Sequence, residues 1–397
     1  VTLPFQRRKR RGTVPYLAMA ELDLRGAELD AAMLETMKDA LQEPSHKIIA
    51  VDVSDNALGD AGGVKICNYL MDNQLVRRLA MNDNDLGDET GSACAELLAV
   101  NKSIEQLDLE GNYIFNEGVK SLSDVLPKNS TLQHLNLGAN QLGIGGAEVL
   151  AMGLSRSSLT SLNLSDNRIC GRGAEQVLLA SKGTGLVFLD LARNEIGPQG
   201  LELMCGALES CTVSSLSLAG NRFGADDAAK ICASCINCEA LEVLLLQQND
   251  LGPEGAKHVA DMLPKTRLTA LDLTGNSIGD TGTAFLASSL EHSSLIALAL
   301  GHNSITDEGV HHLTSCSHTL QSLELKANAI SDMGGDALKA MAVKHTKLVA
   351  MDLLYNNLST AVLHDLEALL TERVALSANP SKDHQNSEEV TASPASV

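Results

Sequence analysis

The sequence predicts an α/β solenoid of about 13 repeats, with a parallel sheet on the concave face and helices on the convex face. An asparagine recurs along the chain in steps of 27 or 28 residues, apart from a single step of 25. Each asparagine follows a short segment of the form L-x-L, with valine or methionine in place of leucine in three repeats, and precedes a segment with helical periodicity. A fixed period of this length predicts a repeat array and overrides a division into two or three domains. The recurring residues are Asn56, Asn84, Asn112, Asn140, Asn167, Asn194, Asn221, Asn249, Asn276, Asn303, Asn328 and Asn356, and Ala27 holds the same position in the first repeat.

The segment LDLARNEIGPQG, residues 189–200, shows how one repeat is built. Side chains alternate along a strand, so the two leucines of L-x-L point to one face and Asp190 points to the other. Gly197 and Pro198 favour a turn, and the next residues place Leu201, Met204, Cys205 and Leu208 on one side of a helix. We predict that Asn194 is structural, because a buried amide can satisfy backbone groups that the turn leaves unpaired.

The pattern L-x-x-L-x-L-x-x-N-x-L resembles the leucine-rich repeat family. The repeat length and the frequent helix start G-x-x-G-x-x-x-L are similar to the ribonuclease-inhibitor-like subfamily. Similar regions occur in nucleotide-binding immune sensors, in proteins made only of these repeats and, with a weaker resemblance, in Ran GTPase-activating proteins. The resemblance implies a horseshoe whose concave surface carries the function.

Composition divides the chain into three segments. Residues 1–16 form a basic arm with a charge of +5 from the run Arg7–Arg11, residues 17–370 form the repeat domain, and residues 371–397 form a polar tail that we predict to be disordered. The whole chain carries −20, so residues 17–397 carry −25. A body this acidic repels phosphate backbones, so we expect a protein partner with a basic or mixed surface and no nucleic acid.

Apolar runs and cysteines bear on where the protein is located. No apolar run approaches about 18 residues, so we expect no membrane span. Nine cysteines without framework spacing favour a reducing compartment, hence a cytoplasmic protein that is a monomer or a subunit of a larger assembly.

A metal or catalytic site is weakly indicated at most. Cys232, Cys235 and Cys238 have the spacing C-x-x-C-x-x-C, which resembles part of a zinc or iron–sulfur site. Other repeats carry alanine where Cys232 lies and leucine where Cys235 lies, which favours a place in the core. No catalytic motif is recognisable, so we predict no cofactor, no metal and no enzymatic activity.

The middle residue of each L-x-L segment is predicted to face the concave surface, and seven of these 13 residues are acidic. Repeat 3 adds two arginines as a local positive spot, repeat 7 adds the inward-facing Phe188, and repeats 9, 11 and 13 add an apolar patch that includes Val349. The candidate protein-binding residues are Arg77, Arg78, Asp108, Phe188, Asp190, Arg193, Val243, Leu245, Asp272, Ile296, Glu324, Leu354 and Tyr355.

Three functions remain open from the sequence. A non-enzymatic scaffold that binds a partner on the concave face is the first. The second is a GTPase-activating protein, since VSDNALGD, residues 53–60, resembles an early repeat of the Ran activators, and Arg25 is then the candidate arginine. The third is a ligand-sensing region of a larger protein, or a ciliary or cytoskeletal subunit.

Overall fold

In the computed structural model of the chain, each repeat contributes one strand and one helix. The structure describes residues 20–43, 46–315 and 319–378. The predicted basic arm and the tail beyond residue 378 lie outside these residues. The described strands form one parallel sheet in which strand order follows chain order from first to last. The predicted solenoid of about 13 repeats is confirmed.

The 13 strands of the described residues are three to five residues long and define the concave face. They are β1 Ala20–Asp23, β2 Ile48–Asp52, β3 Arg78–Ala80, β4 Gln106–Asp108, β5 His134–Asn136, β6 Ser161–Asn163, β7 Phe188–Asp190, β8 Ser215–Ser217, β9 Val243–Leu245, β10 Ala270–Asp272, β11 Ala297–Ala299, β12 Ser322–Glu324 and β13 Ala350–Asp352. Equivalent residues pair across the sheet, so Leu189 of β7 lies between Leu162 of β6 and Leu216 of β8.

The helices lie on the opposite face, and each one packs against its neighbours in sequence. They are α1 Ala31–Gln42, α2 Gly59–Leu70, α3 Asp88–Val100, α4 Asn116–Val125, α5 Gly143–Leu154, α6 Cys170–Ser181, α7 Gly197–Leu208, α8 Ala225–Asn237, α9 Gly252–Met262, α10 Gly279–Leu290, α11 Asp307–Thr314, α12 Asp332–Lys344 and α13 Thr360–Ala378. None of these helices combines the length and the apolar character that a membrane span needs.

The last helix corrects the predicted end of the repeat domain. The boundary at residue 370 falls inside α13, which continues to Ala378. The segment after Leu370 still contains Glu, Arg, Leu and Ala, which are good helix formers, so the helix has no reason to end there.

The core runs between the sheet and the helices along the whole array. Leu201, Met204 and Leu208 of α7 are fully buried, as the helical spacing predicted, whereas Cys205 on the same helix is only partly buried. Neighbouring helices approach closely where both carry glycine: a Cβ on Gly200 of α7 would lie 2.7 Å from the Cα of Gly171 in α6. This contact fixes the spacing of the two repeats.

The recurring asparagines form a ladder of buried hydrogen bonds from repeat to repeat. Asn194 Nδ2 donates to the carbonyls of Leu164 at 2.8 Å and Ala192 at 3.1 Å. Its Oδ1 accepts from the backbone N–H of Asn167 at 3.1 Å and of Ile169 at 3.3 Å, both in the preceding repeat. Asn194 is fully buried, so the predicted structural role is confirmed.

Candidate functional site

The acidic residues of the concave face lie in a partly desolvated row. Asp190 Oδ1 accepts from the N–H of Ala192 at 2.9 Å, and Asp272 Oδ1 accepts from the N–H of Thr274 at 2.8 Å. Burial against the sheet raises the pKa of both carboxyls, and these hydrogen bonds oppose the rise. Burial also raises the pKa of Asp108. The inner face therefore carries negative charge whose hydration is already incomplete.

The predicted positive spot in repeat 3 is wrong, because carboxylates of adjacent repeats neutralise it. Arg77 pairs with Glu105 of the next repeat. Arg78 Nε lies 3.4 Å from Asp108 Oδ2, and its Nη1 lies 3.5 Å from Glu21 Oε1 two repeats earlier. The ion pairs of the two arginines thus connect the first, third and fourth repeats, and the charge they add is balanced locally.

Arg25 is held in the same way at the first turn. Its Nη2 lies 2.9 Å from Asp23 Oδ2, and its Nε lies 3.4 Å from Asp52 Oδ2. The hydrogen bonds from Arg25 lower the pKa of Asp23 to about 2. The guanidinium therefore has two carboxylate partners within its own chain.

The structure separates the two candidate residues of repeat 7 into different parts of the surface. Phe188 is half-buried in β7, between Ser161 and Ser215 of the neighbouring strands. Arg193 is exposed on the following loop, and its Nη2 lies 3.4 Å from Gln248 Oε1, two repeats further on. Gly220 leaves room for this reach, since a Cβ there would lie 2.9 Å from Arg193 Cγ.

The predicted apolar patch is uneven along the inner face. Val243, Leu245, Ile296 and Val349 are only half-exposed, because the neighbouring side chains of the sheet cover part of each. In the last repeat, Leu354 is 54% exposed and Tyr355 is 77% exposed. Within the predicted patch, the exposed apolar area is therefore concentrated in the last repeat.

We call the residues Glu324, Lys326, Asp352, Leu354 and Tyr355 the C-terminal site. Lys326 Nζ lies 5.4 Å from the centroid of the Tyr355 ring, which is a cation–π distance. Beside them lies a cavity of about 340 Å³, lined by Glu324, Asp352 and Leu354 and by apolar side chains of the last two strands, the following loop and α13. These apolar residues are Leu323, Ala350, Met351, Leu353, Leu363, Leu366 and Leu370.

The charges of the C-terminal site are not balanced among themselves. Burial raises the pKa of Glu324, and repulsion from Asp272 and Asp352 raises it further, while Lys326 lowers it. The Lys326 ammonium is thus the one attractive charge among the causes of this shift. An added positive group near Glu324 would relieve the repulsion.

All three cysteines with metal-like spacing are buried in the core. Cys232 and Cys235 on α8 are 4% and 1% exposed, and burial raises the pKa of the Cys232 thiol to about 12 and that of Cys235 as well. Cys238 lies at the end of α8, where its Sγ is 3.4 Å from Cys211 Sγ. Within the described part of the chain, no three His, Cys, Asp or Glu side chains are grouped to hold a metal ion.

One exposed aromatic pair escaped the sequence analysis. Tyr113 and Phe115, on the loop before α4, are 47% and 42% exposed, and their ring centroids lie 6.4 Å apart. The signal in the sequence is a departure from the repeat: Phe115 stands where most repeats carry glycine, as at Gly87 and Gly143. The pair lies far along the array from the C-terminal site.

Short parallel strands, one helix per strand and a buried asparagine in most repeats define a solenoid repeat protein. Comparison with family models then assigns the family. Eight segments match the Leucine Rich repeat model, and the chain belongs to the leucine-rich repeat family. The matched segments are residues 45–67, 100–123, 128–151, 156–177, 186–205, 266–287, 291–311 and 316–339. The repeat length is compatible with the ribonuclease-inhibitor-like subfamily.

Several solved structures of the same fold are similar to the chain at low sequence identity. The leucine-rich repeat protein LegL7 from Legionella pneumophila is 20% identical, with 70% of this chain and 94% of that one covered and a TM-score of 0.49. The internalin inlF from Listeria monocytogenes is 18% identical, with coverages of 89% and 97% and a TM-score of 0.43. The mouse RP105/MD-1 complex is 18% identical, with coverages of 81% and 53% and a TM-score of 0.48. No curated protein sequence matches the chain.

Proposed function

We propose that the chain is a non-enzymatic scaffold that binds a partner protein on its concave face, with the C-terminal site as the main contact. The exposure of Tyr355 carries this proposal. At 77%, it is the most exposed large apolar side chain of the described residues, and Leu354 beside it is also exposed. Apolar and aromatic side chains that a partner desolvates supply most of the affinity of an interface.

The partner has a basic or mixed surface. Glu324 and Asp352 line the cavity beside Leu354, and their mutual repulsion favours an incoming positive charge. The acidic row along the strands adds long-range attraction, which raises the association rate more than the affinity. The same charge disfavours nucleic acid as a partner.

Scaffolding is better supported than GTPase activation. An arginine side chain that acts on a nucleotide bound to another protein has to extend away from its own chain, whereas the Arg25 side chain is paired with Asp23 and Asp52. Unchanged GTP hydrolysis rates of small GTPases with added chain would agree with the scaffold, and acceleration would favour the alternative. The eight cysteines of the described residues are free thiols, which supports a reducing, cytoplasmic location.

Partner capture with the full chain tests the proposal. Proteins retained from a cell lysate by the wild-type chain are identified by mass spectrometry and then measured individually by surface plasmon resonance. For a partner that binds the C-terminal site, Tyr355→Ala should cost about 2 kcal/mol and raise the dissociation rate about 30-fold.

The matched control is Tyr113→Ala, because Tyr113 is also an exposed tyrosine but lies on the loop before α4. It should leave the dissociation rate unchanged. Loss of binding in Tyr113→Ala with normal binding in Tyr355→Ala would indicate that the partner contacts the aromatic pair in repeat 4 instead of the C-terminal site. Normal binding in both variants would reject both surfaces.

A further inference from the structure

Two pairs of cysteines from adjacent repeats lie in contact. Cys211 Sγ and Cys238 Sγ are 3.4 Å apart, and Cys67 Sγ and Cys94 Sγ are 3.5 Å apart. In both pairs the partners are 27 residues apart, so the repeat itself brings them together. The four side chains are free thiols.

The surroundings of Cys238 resemble those of a capping amide. Cys238 lies six residues before Leu244 of β9, as Asn129 lies six residues before Leu135 of β5. Asn129 Oδ1 accepts the backbone N–H groups of the residues two and three positions later, at 2.9 and 2.8 Å. At Cys238 the backbone N–H groups of Ala240 and Leu241, at the same two positions, lower the pKa of the thiol, while Cys238 Sγ also lies 3.7 Å from the carbonyl oxygen of Cys211.

These donors favour the thiolate of Cys238. The hydrogen bond from the Cys211 thiol lowers the pKa of Cys238 most, the two backbone N–H groups lower it further, and burial opposes them, leaving a pKa of about 7. The pKa of Cys211 is raised, because its proton is shared with the neighbouring sulfur and because it is buried. At pH 7 about half of the pairs therefore hold one thiolate beside one thiol, which is the arrangement that reacts with oxidants.

We propose that Cys211 and Cys238 form a reversible disulfide between repeats 7 and 8, in which Cys238 is the attacking thiol and Cys211 the resolving thiol. Hydrogen peroxide is a suitable oxidant, because it is small and the two side chains are only 6% and 5% exposed. This modification is independent of the proposed scaffold function.

The chemistry proceeds in two balanced steps. The Cys238 thiolate attacks one oxygen of hydrogen peroxide, the O–O bond breaks, and hydroxide leaves, so that Cys238 becomes a sulfenic acid. Cys211 Sγ then attacks Cys238 Sγ, the S–O bond breaks, and the hydroxyl group leaves with the Cys211 proton as water. Two electrons pass from the two sulfurs to the peroxide, and a thiol reductant returns them.

The second pair provides an internal control. Cys67 and Cys94 are fully buried within α2 and α3. The shared proton of Cys67 and burial raise the pKa of Cys94 well above its usual value. The sulfur–sulfur distance is nearly the same in both pairs, so proximity alone would oxidise both. The full burial of both thiols and the raised pKa of Cys94 instead predict that this pair stays reduced.

The test uses the full chain treated with hydrogen peroxide at pH 7, followed by alkylation of the remaining thiols, trypsin and mass spectrometry. We expect a cross-link between the peptides 194–222 and 231–257 that dithiothreitol reverses. It should form at least about tenfold faster than any link between Cys67 and Cys94, because both of these thiols are fully buried and the raised pKa of Cys94 leaves it little thiolate at pH 7. The rate should be half-maximal near pH 7, the pKa of Cys238.

Variants assign the roles within the pair. Cys211→Ser should leave Cys238 as a sulfenic acid that dimedone traps, whereas Cys238→Ser should give no dimedone adduct at Cys211. Cys205→Ser is the matched control, since Cys205 lies in the same tryptic peptide as Cys211, and it should keep the cross-link. Absence of the cross-link in wild-type and Cys205→Ser chains, or faster oxidation of Cys67 and Cys94, would overturn the proposal.

Discussion

Replacing one ladder asparagine tests whether hydrogen bonds between repeats hold the array together. In Asn194→Ala, the two accepted hydrogen bonds disappear, and the structure gives no other partner for the N–H groups of Asn167 and Ile169. The two carbonyl groups that accept from Asn194 each keep another hydrogen bond. Leu164 O still accepts from Asn167 Nδ2, and Ala192 O still accepts from the N–H of Asp166.

The expected cost follows from the two orphaned donors. An unsatisfied buried N–H costs about 1–3 kcal/mol, so the variant should lose about 2–6 kcal/mol of unfolding free energy. Urea denaturation followed by circular dichroism measures this loss as a lower midpoint. The dependence of the unfolding free energy on urea concentration has to be compared as well. A repeat array can unfold in parts, and a change in this dependence then indicates lost cooperativity.

The control is Asn68→Ala, at an exposed position of α2. A surface substitution of this kind should change stability by no more than about 0.5 kcal/mol. If Asn194→Ala unfolds at the same urea concentration as the wild-type chain, the ladder does not carry the stability that the hydrogen bonds imply, and the reasoning fails.

Two further predictions concern packing and pH. Gly200→Ala should lower the unfolding free energy measured in urea by about 1–3 kcal/mol, because the added Cβ pushes α6 away from α7. Gly206→Ala in the same helix has open space around it and should raise the unfolding free energy by about 0.5–1 kcal/mol. A larger loss of stability in Gly206→Ala than in Gly200→Ala would contradict the close approach of the two helices. Because burial raises the folded-state pKa of Asp272, its protonated form favours folding, and that contribution is lost as the pH rises. Asp272→Asn should therefore raise the thermal midpoint at pH 7 but not below about pH 4, which is the pKa of an aspartate in the unfolded chain. Asn163 shows that an amide at this position keeps the hydrogen bond to the residue two positions later. An equal gain at both pH values would refute the charge argument.

The repeat fold was predictable because its causes are periodic. The spacing of Asn194 and its equivalents, the L-x-L strands and the apolar helix face all express one geometry repeated along the chain, so each repeat supports the interpretation of the others. The exposure of Leu354 and Tyr355 followed from the same alignment, since only the last repeat carries large apolar residues at these two loop positions.

Contacts between repeats were harder to predict because they depend on two positions at once. Arg77 looked like free charge when its repeat was considered alone, but its partner Glu105 lies 28 residues later at the equivalent position. The contact between Cys211 and Cys238 could not be predicted from one repeat for the same reason, because the two cysteines follow different helices. The end of the last helix was misplaced because the asparagine column contains no signal for it.

The ladder also gives the array a direction. Each asparagine serves the turn of the repeat before it, so Asn356 of the last described repeat holds the N–H groups of Asn328 at 3.2 Å and Ile330 at 3.1 Å. If the last repeat unfolds, the turn of the repeat before it loses the asparagine oxygen that accepts its backbone N–H groups. If the first repeat opens, Asn56 loses only the groups that it was serving, such as the N–H of Leu29. The two ends of the solenoid are therefore unequal in fraying, and each repeat is held in place by the one that follows it.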